Sequence, residues 1–148
     1  MKPSETFKKL IQQKGKISCA EMEEFFAQLD PVSIDDIIGQ WKGKYFPTGG
    51  KMEFFLKDFV ILKWHGKQFI SQNRVKSLVY SLLGLKFNIL LGTASLRMVE
   101  YKKKLSVGMI YNYFPMIDYF RKIDDTTVMG IMEVKGKVSI YFYLKRDA

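Results

Sequence analysis

The hydrophobic positions along this chain change their period once. Up to residue 36 they recur at helical spacing; beyond it they mostly alternate. Ser4 stands as a cap before Phe7, Leu10 and Ile11, which share a helical face, and Gly15 ends the run. Ser18-Cys19-Ala20-Glu21 reads as a capping box, in which the serine hydroxyl takes a backbone N–H and the glutamate reaches back. Met22, Phe25, Phe26 and Leu29 follow at helical spacing, and Asp30-Pro31 breaks that helix. Ser33-Ile34-Asp35-Asp36 can start one more turn before Gly39. Segment 1–36 is therefore expected to form short helices packed on whatever residues 37–148 build, the two making one structural domain.

After Gly39 the punctuation changes. Residues 41–46 predict a strand, ended by Pro47-Thr48-Gly49-Gly50. Residues 52–62 fit a short helix or an irregular strand, since Phe55, Phe59 and Leu62 have helical spacing within a β-rich run. Residues 64–69 predict a strand with a turn, and 74–83 a helical turn or two. From residue 87 the pattern is β, with strands expected over 87–91, 94–102, 105–114, 117–123, 127–134 and 137–145. Turns fall at Lys102-Lys103-Lys104, Asp124-Asp125 and Lys135-Gly136. Leu105, Val107, Met109, Tyr111 and Tyr113 share one face of their strand; Val138, Ile140, Phe142 and Leu144 share one face of the last. Closely spaced antiparallel strands of this kind make a barrel or a sandwich, and a barrel would leave no exposed edges.

Composition narrows the function classes. With 148 residues, 47% hydrophobic and 15% aromatic, the chain can build a core without cross-links. Its one cysteine, Cys19, supplies neither a disulfide framework nor a cysteine-rich metal site, which fits a reducing, cytoplasmic setting. No apolar run reaches the roughly 18 residues of a spanning helix, and the polar N-terminus lacks a signal-peptide core. The net charge of +9 is uneven: residues 1–36 carry 5 Lys and 7 acids, whereas 37–148 carry 19 Lys+Arg and 8 acids. A positive field on the second part suits anionic partners such as fatty acids, a membrane surface or an acidic protein, and it also serves solubility.

Several ordered motifs carry a family resemblance. Gly39-x-Trp41-x-Gly43 follows Asp30-Pro31 and precedes Trp64-x-Gly66-Lys67-x-Phe69. Then come Gly92-x-Ala94-x-Leu96-Arg97, Val99-Glu100-Tyr101, Met109-Ile110-Tyr111, Pro115-x-x-Asp118-x-Phe120-Arg121, Gly130-x-Met132, Gly136 and Phe142-Tyr143-Leu144-x-Arg146. Over roughly residues 29–146 the chain resembles the GXWXG family, mainly bacterial proteins without an established activity. One departure is Ser77-Leu78, where the family pattern has Pro-Leu. The resemblance implies a calycin-like antiparallel β-barrel with short N-terminal helices, broadly similar to lipocalins and fatty-acid-binding proteins. It also implies that Trp41 plugs the closed end of the barrel with Arg146 stacked over its ring, while Gly39 and Gly43 allow close backbone approach.

The candidate chemistry is sparse. Met98, Met109, Met116, Met129 and Met132 suit a ligand cavity or a plain core, and Trp64 is a second candidate for the lining. Arg97, Asp118 and Arg121 are charges in apolar strand patterns near Tyr111 and Tyr113. Either an arginine and a tyrosine hold a ligand carboxylate while Asp118 orients the arginine, or Asp118 and an arginine form an internal salt bridge. His65, the one histidine, has no cysteine or carboxylate cluster to make a metal site, and no nucleophile elbow, P-loop or dinucleotide motif is present. No cofactor is expected. Lysines interleave with aromatics around Trp41 and Tyr101, but alternating barrel strands give the same texture, so nucleic acid is disfavoured. The expected function is binding of a hydrophobic or amphipathic small molecule, fatty acid or lipid-like, in the barrel. The alternatives are a barrel enzyme using Asp118, Tyr111 or His65 as acid and base, and a basic module binding nucleic acid or an acidic partner.

Overall fold

The computed structural model describes residues 1–50, 63–82, 85–88 and 92–147. The ambiguous run 52–62 and the end of the expected strand 87–91 lie outside the described residues.

Three short helices come first: α1 (Pro3–Gln12), α2 (Cys19–Ala27) and α3 (Ile34–Ile37), with the two-residue strand β1 (Asp30–Pro31) between the last two. Helix α1 starts two residues earlier than its sequence suggests, because Pro3 takes the first helical position and Lys2 becomes the cap. Ile11 consequently turns outward and is 42% exposed, while Phe7 and Leu10 are buried. Ser18 caps α2 by accepting from the Glu21 N–H at 3.1 Å, and Ser33 caps α3 in the same way through Asp36.

Nine further strands follow: β2 (Gly39–Tyr45), β3 (Lys63–Ser71), β4 (Arg74–Leu82), β5 (Leu85–Asn88), β6 (Thr93–Tyr101), β7 (Lys104–Tyr111), β8 (Met116–Asp124), β9 (Thr127–Val134) and β10 (Lys137–Arg146). Eight of them close an antiparallel barrel in the order β2-β3-β4-β6-β7-β8-β9-β10, with β10 returning to β2. This is the calycin-like plan expected from the sequence, mainly β with helices near the N-terminus. Two hairpin turns use residues at positive φ: Lys102 (44°) with Lys103 (68°), and Lys135 (50°) with Gly136 (83°).

The expected helical turns over 74–83 are instead strand β4. A turn at Gln72-Asn73 pairs Ser71 with Arg74, and the ladders to β3 and β5 satisfy the backbone of the whole segment. Val75 and Ser77 are buried while Arg74 and Lys76 are not, a period of two. Strand β4 meets β6 at only Val75↔Ala94 and Lys76↔Thr93, and its far end pairs with β5. Strand β1 widens the ring on the other side. It pairs with β8 at Lys122 and Arg121, and the Val107 N–H donates to the Val32 carbonyl at 2.9 Å. The buried Ser106 hydroxyl stitches this corner, accepting from the Val32 N–H at 2.8 Å and donating to the Phe120 carbonyl.

There are two cores. The barrel interior holds Trp41, Phe69, Val75, Leu96, Val107, Met109, Tyr111, Phe120, Met132, Ile140, Phe142 and Leu144. The second lies on the outer face of β8, β9 and β10, where Tyr119, Ile123, Met129, Ile131 and Tyr141 meet Phe7, Leu10, Met22, Phe25 and Phe26 of α1 and α2. Strand β9 is therefore buried on both faces over most of its length and reads in sequence as a near-continuous apolar run. Of the residues sharing a face by alternation, Val107, Met109 and Tyr111 are buried, whereas Leu105 near the start of β7 and Tyr113 beyond its end are 57% and 59% exposed.

Candidate functional site

Strand alternation brings three polar side chains into the apolar interior. Asp118 and Phe120 share the inner face of β8, and Tyr111 ends the inner row of β7. Lys67 lies on β3, where register shifts on either side of Gly66 break the regular ladder to β4. A side chain at Gly66 would collide with the Trp41 carbonyl, so glycine is required where β3 crosses β2.

Lys67 Nζ lies 3.0 Å from Asp118 Oδ2, 3.3 Å from the Tyr111 hydroxyl and 3.2 Å from the Ser77 carbonyl, to which it donates. Tyr111 Oη in turn lies 3.3 Å from Asp118 Oδ2. Ser77 donates to the Gly92 carbonyl and so ties β4 to the start of β6. Three rings surround the ammonium: Phe142, Trp64 and Tyr111, with centroids 5.3, 5.5 and 5.6 Å away. Tyr45 stacks on Trp64 at 5.0 Å, and Phe142 meets Trp64 edge-on at 5.9 Å. Lys67 and Asp118 are 3% and 1% exposed, so neither charge has water to solvate it.

Burial sets the protonation of this cluster. It pushes the Lys67 ammonium below its usual range and the Asp118 carboxyl above its own, each held back by the opposite charge of the other. Burial, reinforced by the Asp118 carboxylate, drives the Tyr111 hydroxyl well above the ordinary tyrosine value. Two buried polar atoms here find no hydrogen-bond partner among the described residues: Asp118 Oδ1, an acceptor, and Trp64 Nε1, a donor. Both residues line one small cavity of about 20 Å³, bounded also by Lys67, Tyr111, Tyr45, Met132, Ile140 and Phe142. That volume admits about one water molecule.

The structure distributes the sequence candidates unevenly. Asp118, Tyr111 and Trp64 line this cavity, and Met109 belongs to the same interior core. Both arginines lie elsewhere. Arg97 points outward to the Leu96 carbonyl (2.7 Å) and Asn73 Oδ1 (3.0 Å). Arg121, three residues after Asp118, falls on the opposite face of β8 and donates to the carbonyls of Phe26 (2.8 Å) and Tyr101 (2.6 Å) outside the barrel. The expected arginine–tyrosine fork and the alternative Asp118–arginine salt bridge are thus both replaced by the Lys67–Asp118 pair. Of the five methionines, Met109 and Met132 are in the interior core, Met116 flanks it half-buried, Met129 is under the helices and Met98 is 41% exposed. His65 lies 3.0 Å from Asp147 Oδ2, away from Asp118.

Lys67, Ser77 and Tyr45 were not legible as site residues. One signal for Lys67 was available: it shares parity with the apolar Phe69, so an inward-facing Phe69 places a lysine inside, opposite an aspartate that needs a cation.

The motif at Gly39, Trp41 and Gly43 acquires separate roles for its three members. Trp41 is 2% exposed, donates from Nε1 to the Ile37 carbonyl at 2.8 Å, and has the Arg146 guanidinium 4.4 Å over its ring. Arg146 is fixed in turn by the carbonyls of Ile38 and Asp36. A Cβ on Gly39, at φ 135°, would sit 2.8 Å from the Arg146 guanidinium. A Cβ on Gly43 would land within the Trp64 ring. The first glycine therefore makes room for the plug and the second for the wall of the cavity.

Comparison with known proteins agrees with this architecture. The model of the GXWXG family, described as "GXWXG protein", matches residues 24–81, and that of a domain of unknown function, DUF4334, matches residues 92–146. A crystal structure of a protein from Thermomonospora curvata is similar over 100% of both chains, with 34% identity and a TM-score of 0.87. No curated protein matches the chain.

Proposed function

The chain belongs to the GXWXG family, and we propose that its barrel binds a small hydrophobic or amphipathic molecule whose polar end reaches the Lys67–Asp118–Tyr111 cluster. One observation carries the reading: Asp118 Oδ1 and Trp64 Nε1, a buried acceptor and a buried donor, have no partner among the described residues, and both residues line the same apolar cavity. A fully satisfied network would be a structural tie; an unsatisfied one costs free energy that a ligand returns.

The chemistry of those atoms selects the ligand's polar end. Lys67 is already neutralised by Asp118, and a second carboxylate would meet the open Asp118 oxygen. A neutral group that both donates and accepts fits instead, such as a hydroxyl or an amide. Among lipid-like molecules this favours a fatty alcohol or amide over an ionised fatty acid. The polar atom fits the small space beside Asp118, and Tyr45, Ile140 and Met132 give the tail its apolar wall; a longer tail requires the half-buried Trp64 and Tyr45 rings to swing aside. No helix among the described residues is long and apolar enough to cross a membrane. A cytoplasmic bacterial carrier that loads at an anionic membrane surface, drawn by the excess of lysine and arginine in 37–148, completes the reading.

Titration with 1-decanol and with decanoate, followed by tryptophan fluorescence, tests it. Saturable decanol binding at least about tenfold tighter than decanoate is expected, the difference being one misplaced buried charge. Absence of saturable binding by either, together with a clean apo mass after native mass spectrometry of freshly purified protein, would overturn it.

A further inference from the structure

We propose that Lys67 is an imine-forming lysine, whose Nζ adds to the carbonyl carbon of an aliphatic aldehyde entering the barrel cavity. The inference rests on the ligand site proposed above and gives it a reactive group.

The geometry supplies the three parts that imine formation needs. The nucleophile is Lys67 Nζ, on the wall of the cavity and enclosed by the Phe142, Trp64 and Tyr111 rings. A carboxyl to move protons, Asp118, touches that nitrogen at 3.0 Å, lines the cavity, and has no partner for its second oxygen among the described residues. A donor for the carbonyl oxygen, Trp64 Nε1–H, is buried on the same wall without a partner among the described residues. The Phe142, Trp64 and Tyr111 rings crowd the nitrogen, and an alkyl chain filling the opened cavity takes the space that water would need to hydrolyse a formed C=N bond. Burial supports the same chemistry, since it pushes the Lys67 ammonium down and the Asp118 carboxyl up, which eases the passage of one proton from nitrogen to carboxylate that frees the amine lone pair.

The steps balance within these groups. Lys67 first passes one ammonium proton across the 3.0 Å contact to Asp118. The freed amine lone pair forms the N–C bond while the carbonyl π electrons move to oxygen, which takes that proton from Asp118. The resulting carbinolammonium returns one proton to the Asp118 carboxylate. Asp118 then protonates the carbinolamine hydroxyl, which leaves as water while the nitrogen lone pair forms C=N. Ammonium, carboxylate and aldehyde have become an iminium, a carboxylate and one water. The iminium keeps Asp118 as its counter-ion, in place of the original ammonium, and no oxidant or reductant is needed.

Octanal is the probe and 1-octanol its unreactive twin. Protein incubated with substoichiometric octanal is reduced with cyanoborohydride, and the alkylated lysines are mapped by peptide mass spectrometry. The expected result is dominant labelling at Lys67, blocked by excess octanol and absent from Lys67→Met. Asp118→Asn, which keeps the side-chain volume, should slow that labelling about a hundredfold, the scale of lost acid–base assistance. If octanol perturbs tryptophan fluorescence saturably but octanal labels only exposed lysines, the imine is overturned and the binding site stands. If neither compound perturbs the fluorescence and Lys67 stays unlabelled, both fall.

Discussion

Two polar clusters lie on opposite sides of the barrel wall, with β8 contributing Asp118 to one and Arg121 to the other, and they differ in how completely they are satisfied. Inside the barrel, Lys67, Asp118 and Tyr111 leave a carboxylate oxygen and the nearby Trp64 N–H without partners among the described residues. Outside, Glu23 of α2 uses both oxygens. Oε1 accepts from the Tyr101 hydroxyl at 2.6 Å and from Lys102, and Oε2 accepts from the Tyr141 hydroxyl at 2.7 Å. Next to it Arg121 lies 4.3 Å over the Phe26 ring and binds two backbone carbonyls. The outer cluster has the form of a fastener between helix and barrel. The inner one is built from similar residue types, but an open acceptor and donor beside a cavity suit something that arrives later.

The sharpest way to break this comparison is to unbalance the inner pair. Asp118→Leu leaves Lys67 buried without its counter-charge and should cost about 3–5 kcal/mol in urea denaturation. Adding Lys67→Met should restore most of that loss, because a packed apolar pair of similar volume replaces two desolvated charges. If the double variant is as unstable as the single one, the pair holds the barrel together and the ligand reading loses its basis.

The outer cluster should behave differently. Arg121→Met keeps much of the side-chain bulk over Phe26 but strands the carbonyls of Phe26 and Tyr101, for an expected loss of about 2–3 kcal/mol. Ligand binding inside should be unaltered, since β8 separates the two faces. A change in decanol affinity matching the stability loss would show that the clusters are coupled through the strand.

The same division explains what the sequence disclosed. The near-continuous apolar run of 127–134, bounded by turn residues, and the alternation of 137–145 mark β9 and β10 almost to the residue, and Trp41 with Arg146 follows from a motif. Segment 74–83 was misread as helical because hydrophobic spacing over so short a run does not separate the two periods. The ladder to β3, a tertiary partner, decided it. Arg121 and Asp118 look alike as charges in one apolar strand, yet a spacing of three puts them on opposite faces, and only closure of the barrel shows which face is inside. Lys67 shares parity with the buried Phe69, but a lysine in a strand ordinarily faces water, and only closure of the barrel sets it against Asp118. The outer fastener was hidden because Glu23 meets Tyr101 and Tyr141 across 78 and 118 residues of chain.

The smallest expected effect, on pH dependence, separates the clusters by sign. Burial pushes the Glu23 carboxyl up, but hydrogen bonds from Lys102, Tyr101 and Tyr141 outweigh it and leave the group below its ordinary value of 4.5. Protons therefore prefer the unfolded chain at this position. The stability Glu23 contributes is complete above about pH 4.5 and is lost as pH falls through the lower folded value. Asp118 is displaced the other way, above its ordinary 3.8, so its contribution is complete below that value and is lost as pH rises through the folded one. Glu23→Gln should thus flatten the acid limb of a stability profile measured by urea denaturation from pH 3 to 7, most visibly below about pH 4.5. Lys67→Met/Asp118→Leu should steepen that limb, because it removes a buried carboxyl that gains from acid. Parallel profiles for the two variants would mean that the carboxyls share one environment, and the distinction between a satisfied outer cluster and an open inner one would fail.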